Sequence, residues 1–215
     1  MNLIKLKKRS DFIYPYIKNK IVLDIGFIGD KKINGKYSWL FSWLLKNCKE
    51  VIGVDINKEV IDQLKKEGYK VIYDDANFLV NTLKLNKKFD VIIVGDILMY
   101  LENIGTFFSN MNKLLNPGGH LIITINNIMG LWQLFEFFIK NNDQMKGTFV
   151  SFTKTNLKNF ATKYGFNIVE EKYFINDECI CEVSFLSKII WSCYPKLYPN
   201  LGIIFKKGKN VKLER

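Results

Sequence analysis

The chain has 215 residues, a length that suits one domain with a complete core, and its 48% hydrophobic and 25% charged residues are the balance of a soluble globular protein. No apolar run approaches the roughly 20 residues a membrane-spanning helix needs, and the basic start Met1–Arg9 lacks the features of a secretory signal, so a cytoplasmic location is expected. The net charge of +11 comes from scattered lysines in an arginine-poor chain, which reads as a compositional bias and makes nucleic acid an unlikely partner.

Short apolar runs alternate with amphipathic stretches, the pattern of a parallel sheet covered by helices. Residues 1–20 form a helical extension. Ile21–Ile25 is a buried strand, Tyr37–Lys46 a helix, Glu50–Asp55 a strand, and Lys58–Glu67 a helix stopped by Gly68. Lys70–Tyr73 and Asp90–Val94 are strands. Ile104–Leu115 is a helix ended by the turn Asn116-Pro117-Gly118-Gly119, after which Leu121–Ile125 is a strand. Helix Thr153–Tyr164, stopped by Gly165, leads into strand Asn167–Phe174, and Gly202–Lys206 is a last strand.

Two aromatic stretches interrupt the alternation: Ile128–Lys140, apolar on more than one face, and Ile189–Pro199. Core, lid, substrate wall and membrane-surface contact are the readings open for them. The domain is read as residues 1–215, with 126–152 and 187–200 as insertions on the substrate side. Oligomeric state is not legible. The cysteines Cys48, Cys179, Cys181 and Cys193 have no metal-type spacing, so no metal is expected and all four read as reduced and structural. The one histidine, His120, sits at a strand start, which leaves the most common general base out of the chemistry.

In open α/β sheets ligands bind beyond the carboxyl ends of the strands, so the loops there carry the chemistry. The first, Asp24-Ile25-Gly26-Phe27-Ile28-Gly29-Asp30, has glycines that let a ligand approach the backbone. The second places Asp55 after an apolar strand, where an acid can accept from the hydroxyls of a ribose. Asn57 suits the cap of the next helix and leaves Asp55 for that role. Asp75 in Asp74-Asp75-Ala76-Asn77 reads equally as a helix cap or as an acceptor for an adenine amine. The fourth loop runs Gly95-Asp96-Ile97-Leu98-Met99-Tyr100.

Together, Val22–Asp30 (VLDIGFIGD), Val51–Asn57 (VIGVDIN), Asp74–Asn77 (DDAN), Phe89–Leu101 (FDVIIVGDILMYL) and Leu114–Thr124 (LLNPGGHLIIT) resemble the class I S-adenosylmethionine-dependent methyltransferases. Ser151–Glu171 also resembles a helix-strand unit of small-molecule members, including quinone-type and glycan-biosynthesis-associated enzymes. The resemblance implies a Rossmann-like α/β fold with a mostly parallel seven-stranded sheet, helices on both faces and an antiparallel last strand. It implies S-adenosylmethionine as cofactor. Asp24, Gly26 and Gly29 would lie at its methionine end, Asp55 and Ile56 at the ribose, Asp75 and Ala76 at the adenine, and Gly95 and Asp96 at the sulfonium.

The acceptor would be a small molecule, a lipid-linked compound or a glycan, with a peripheral membrane contact possible. Asp96 and Tyr100 are candidate bases for a hydroxyl acceptor. The chain departs from the family's Gly-x-Gly-x-Gly turn at Ile28 and Asp30, and the stretch from Gly29 to Tyr37 is long and polar. A catalytically inactive S-adenosylmethionine-binding regulator of the same fold is the first alternative. A nicotinamide-dependent oxidoreductase is the second, although G-x-G-x-x-G is missing.

Overall fold

The computed structural model describes residues 6–29, 32–33, 37–140 and 148–208. Asp30, one of the two departures in the first turn, lies outside the described residues. Seven strands form one sheet: β1 (Ile21–Ile25), β2 (Glu50–Asp55), β3 (Val71–Tyr73), β4 (Phe89–Gly95), β5 (Leu115–Asn126), β6 (Phe166–Phe174) and β7 (Asn200–Lys207). Their order is β3-β2-β1-β4-β5-β7-β6, and β7 runs antiparallel to both its neighbours while the others are parallel. This is the Rossmann-like sheet the resemblance implies. Strands β1, β2 and β4 are near-continuous apolar runs because helices cover both faces of the sheet.

On one face lie α1 (Arg9–Ile17), α2 (Trp39–Asn47) and α3 (Lys58–Lys66), which bury Phe12, Ile13, Phe41, Leu44, Ile61 and Leu64 against the sheet. After the short α4 (Val80–Lys84), α5 (Ile104–Leu114) brings Phe107, Phe108, Met111 and Leu114 to the other face at helical spacing. There they meet Leu157 and Ala161 of α7 (Lys154–Lys163). Asn57 caps α3, its Oδ1 accepting from the Val60 N–H at 3.2 Å, and Gly68 closes the helix at φ +86°.

Three local expectations change. Tyr37 does not open α2. Tyr37–Ser38 pairs with Lys32–Ile33 as a short antiparallel hairpin, and Ser38 caps the helix from an extended backbone. The Asn116–Gly119 segment is not a free turn before β5: Leu115 already pairs with Phe89, and a register shift before the Val91–His120 pair absorbs the extra residues. The link between β6 and β7 contains a helix, α8 (Phe185–Cys193), for which apolar content alone offered no periodic signal.

Helix α1 is seated on β7 through Gly202, where an added Cβ would stand 2.4 Å from Phe12 Cε1 and 2.6 Å from Phe174 Cε1. Gly202→Ala is therefore expected to destabilise the fold by about 1–3 kcal/mol through overpacking, measured by chemical denaturation. An unchanged midpoint would show that α1 does not rest on this contact.

The aromatic stretches behave differently from each other. Helix α6 (Leu131–Lys140) exposes Trp132, Phe135, Phe137, Phe138 and Ile139. In the second stretch Trp191 and Tyr198 are buried and stack at 4.9 Å, and the Lys196 and Tyr198 carbonyls accept from Asn127 Nδ2. The second stretch thus backs the start of the first. Among the described residues no helix is long and apolar enough to cross a membrane.

Candidate active site

At the carboxyl ends of the parallel strands the sheet opens onto a cavity of about 1070 Å³. It lies where the chain order reverses between β1 and β4, the switch point at which such sheets bind ligands. Asp24, Gly26, Gly29, Asp55, Ile56, Asp75, Ala76, Gly95, Asp96 and Tyr100 all line it.

The first loop turns at Gly26, whose φ of +78° and N–H bond of 2.8 Å to the Val54 carbonyl tie β1 to β2. Among the described residues of this turn the left-handed positions are Gly26 and Gly29, and Ile28 is not one of them. Ile28 instead buries its side chain with Leu40 and Phe41 in the core and donates its N–H to Asp55 Oδ2 at 3.2 Å. Ile28 is thus compatible with the turn because the conformational demand falls on its neighbours. Asp55 Oδ1 also accepts from the Asn57 N–H at 3.0 Å, so its carboxylate staples the first loop to the second.

Asp24, at 2% exposure, leaves Oδ2 without a partner, and burial pushes its carboxyl up to about 8, against a downward pull from the Arg9 guanidinium. The pair after β3 divides its work. Buried Asp74 accepts from the Thr82 N–H and hydroxyl at 2.7 and 2.8 Å, whereas exposed Asp75 accepts from the Asn77 N–H at 2.8 Å. Asn77 Oδ1 in turn accepts from the Glu102 and Asn103 N–H groups, joining the third and fourth loops.

Asp96 follows β4 at φ +57°, with its N–H on the Thr124 carbonyl at 2.9 Å. Its Oδ2 accepts from Arg9 Nη1 at 3.2 Å and from Asn176 Nδ2 at 3.4 Å, and its Oδ1 has no partner. Burial raises its pKa even though the side chain retains 26% exposure where it lines the cavity. Tyr100 stands at the rim, 39% exposed.

Sequence reasoning missed Arg9, Asn176 and Glu178, which also line the cavity. They come from the chain's two ends, and the bond between Arg9 and Glu178 spans 169 residues. One signal was present: Arg9 and Arg215 are the only arginines in a chain otherwise committed to lysine.

A second cavity of about 330 Å³ is lined by Met99, Ile125, Ile128, Leu134, Phe137 and Phe152 among others. Asn126, at the end of β5, borders both cavities. Within the described residues, Ile128–Phe137 of the first aromatic stretch contribute to its wall, and 189–199 contribute to neither cavity.

Residues 35–123, from the approach to α2 through most of β5, match a family described as a methyltransferase domain. No curated protein sequence matches the chain. Among solved structures, a SAM-dependent methyltransferase from Archaeoglobus fulgidus superposes with a TM-score of 0.65 at 23% identity, over 93% of this chain and 91% of that one. The N-methyltransferase NodS of Bradyrhizobium japonicum WM9 gives 0.56 at 18% identity, over 92% and 90%. Its complex with S-adenosyl-L-homocysteine gives 0.55 at 19% identity, over 89% and 80%. At these identities the likeness establishes the fold, and the family match covers residues 35–123 of it.

Proposed function

We propose that this chain is an S-adenosylmethionine-dependent methyltransferase acting on a small-molecule, lipid-linked or glycan acceptor whose apolar part occupies the second cavity, a reading supported by the family match over residues 35–123 and by the fold. The observation that carries the reading is the meeting at Asn126 of a large cavity lined by several carboxylates and a smaller, more apolar one.

The cofactor has an ammonium and a sulfonium, a ribose diol and an adenine, and the first cavity matches that chemistry. The unpartnered Oδ2 of Asp24 suits the ammonium, and the Gly26 turn, held against Ile97, lines the cavity where the methionine end would lie. Asp55 and Ile56 suit the ribose, Asp75 and Ala76 the adenine. Gly95 and Asp96 border the place where the methyl would pass. When bound, S-adenosylmethionine supplies a methyl carbon already activated by the sulfonium, so the protein's task is alignment and exclusion of water. Asp96 and Tyr100 are the groups able to take a proton from a hydroxyl acceptor.

Titration calorimetry with S-adenosylmethionine and S-adenosylhomocysteine tests this reading, and no binding at millimolar ligand would overturn it. Asp55→Ala is expected to weaken the cofactor by about 1–3 kcal/mol through lost charge-assisted hydrogen bonds. An unchanged dissociation constant would reduce Asp55 to its bonds with Ile28 and Asn57.

A further inference from the structure

Resting on that reading, we infer that Asp96 and Asn176 form a proton-accepting subsite for an acceptor whose reacting atom carries an O–H or N–H, and that Arg9 is its positioning residue. Two oxygens at this end of the cavity, Asp96 Oδ1 and Asn176 Oδ1, are buried without a hydrogen-bond partner. Buried acceptors without donors cost free energy unless a ligand supplies the donor. The donors around them are committed: Arg9 Nη1 and Asn176 Nδ2 both go to Asp96 Oδ2, and Arg9 Nη2 goes to Glu178 at 2.9 and 3.1 Å. Arg9 Nε is likewise buried without a partner.

The charges agree. One guanidinium faces the carboxylates of Asp96 and Glu178, so a further anion at the reacting atom would meet repulsion, while a hydroxyl or amine would not. A hydrophobic acid or phosphate is disfavoured there.

The arginine is needed for its shape. A guanidinium can grip two carboxylates at once in a fixed plane, which a lysine ammonium does not do, and this chain uses lysine almost everywhere else. Its segment is anchored for the purpose. Ser10 donates its N–H and hydroxyl to Asp177 at 2.9 and 2.6 Å, Ile175 donates its N–H to the Lys7 carbonyl at 3.0 Å, and Arg9 itself is 4% exposed. Asp96 also holds a left-handed backbone, at φ +57°. Arg9 thus fixes one carboxyl oxygen and leaves the other to the acceptor. As the acceptor's oxygen or nitrogen bonds to the methyl carbon and the carbon–sulfur pair stays on sulfur, the acceptor proton passes to Asp96 Oδ1 and from there to solvent.

The groups that face Asp96 are Arg9 from α1 and Asn176 and Glu178 from the segment after β6, with Asp24 of β1 acting through Arg9. Arg9 lowers the Asp96 pKa and Glu178 raises it. The test is a carboxyl ¹³C NMR titration of the full chain saturated with S-adenosylhomocysteine, with Asp96→Asn used for assignment. That saturation checks the underlying reading separately. Arg9→Gln is expected to raise the Asp96 midpoint by about one pH unit, and the milder Glu178→Gln to lower it. Midpoints that stay put, or move the same way, overturn Arg9 as the positioning residue.

In the same complex, octylamine or octyl glucoside is expected to bind at least about tenfold tighter than octanoate, with the advantage lost in Asp96→Asn. The amine and glucoside arms distinguish the two donor classes. Octanoate binding as well as both, or none of the three binding while S-adenosylhomocysteine does, overturns the acceptor class.

Discussion

Asp24→Asn is expected to stabilise the ligand-free chain at pH 8 while weakening S-adenosylmethionine binding by about tenfold or more. The carboxyl is 2% exposed with one oxygen unpartnered, and burial is the largest cause of its rise to about 8, opposed by Arg9 and reinforced by Asp55. Its folded pKa therefore lies above the unfolded value near 4. Such a group contributes stability that is fully present below the unfolded pKa and is lost as pH rises through the folded one. From this residue alone, the wild-type chain loses stability between about pH 4 and pH 8, and the amide removes that slope.

The gain at pH 8 is expected to be about 1–3 kcal/mol, the scale of a buried polar group's desolvation, with none at pH 4. Thermal unfolding at the two pH values reads it, and an equal change at both would refute the burial argument. The cost falls on binding, because an amide cannot hold an ammonium with a charge-assisted hydrogen bond worth about 1.5–3 kcal/mol. Wild-type binding near pH 7 should also release a proton from Asp24. Calorimetry in two buffers of different ionisation enthalpy detects that release. Equal heats in both buffers would show that Asp24 is already charged.

Gly26→Ala carries the second large effect. An added Cβ would stand 2.3 Å from Ile97 Cγ2, on a backbone at φ +78° that L residues rarely adopt. Ile97 cannot simply swing aside, since its Cβ and Cδ1 both lie at 3.3 Å from the same point. The turn itself has to move, which breaks the alignment of the first and fourth loops. The expected outcome is a stability loss of about 1–3 kcal/mol and loss of measurable S-adenosylhomocysteine binding. Gly29→Ala is the control: it shares the positive φ, but its nearest contact is Ser38 Cβ at 3.3 Å, so a milder loss is expected. Gly26→Ala with wild-type melting temperature and affinity would refute this reading of the turn.

The sheet strands were legible because each is a short apolar run between polar punctuation, and a strand buried on both faces needs little more. Glu50–Asp55 and Ile21–Ile25 match their expected bounds, and the Asn57 cap and Gly68 stop are where local chemistry puts them. The hairpin at Tyr37–Ser38 and the early start of β5 were missed, since pairing partners outweighed local preference in both. All the candidate site residues line one cavity for a topological reason: parallel strands point their carboxyl ends the same way, so loops distant in sequence converge.

What the sequence determined by itself was the sheet, its helices and the loops that carry Asp24, Gly26, Asp55 and Asp96, because those signals are local and periodic. Tertiary structure alone decided the rest. The Arg9–Glu178 grip on Asp96 joins residues from opposite ends of the chain, and no spacing rule links them. The meeting of the two cavities at Asn126 depends on how β5 ends beside the Leu98–Tyr100 turn. The face of α6 that points outward was equally hidden, since an apolar helix looks the same in sequence whichever side the fold leaves uncovered.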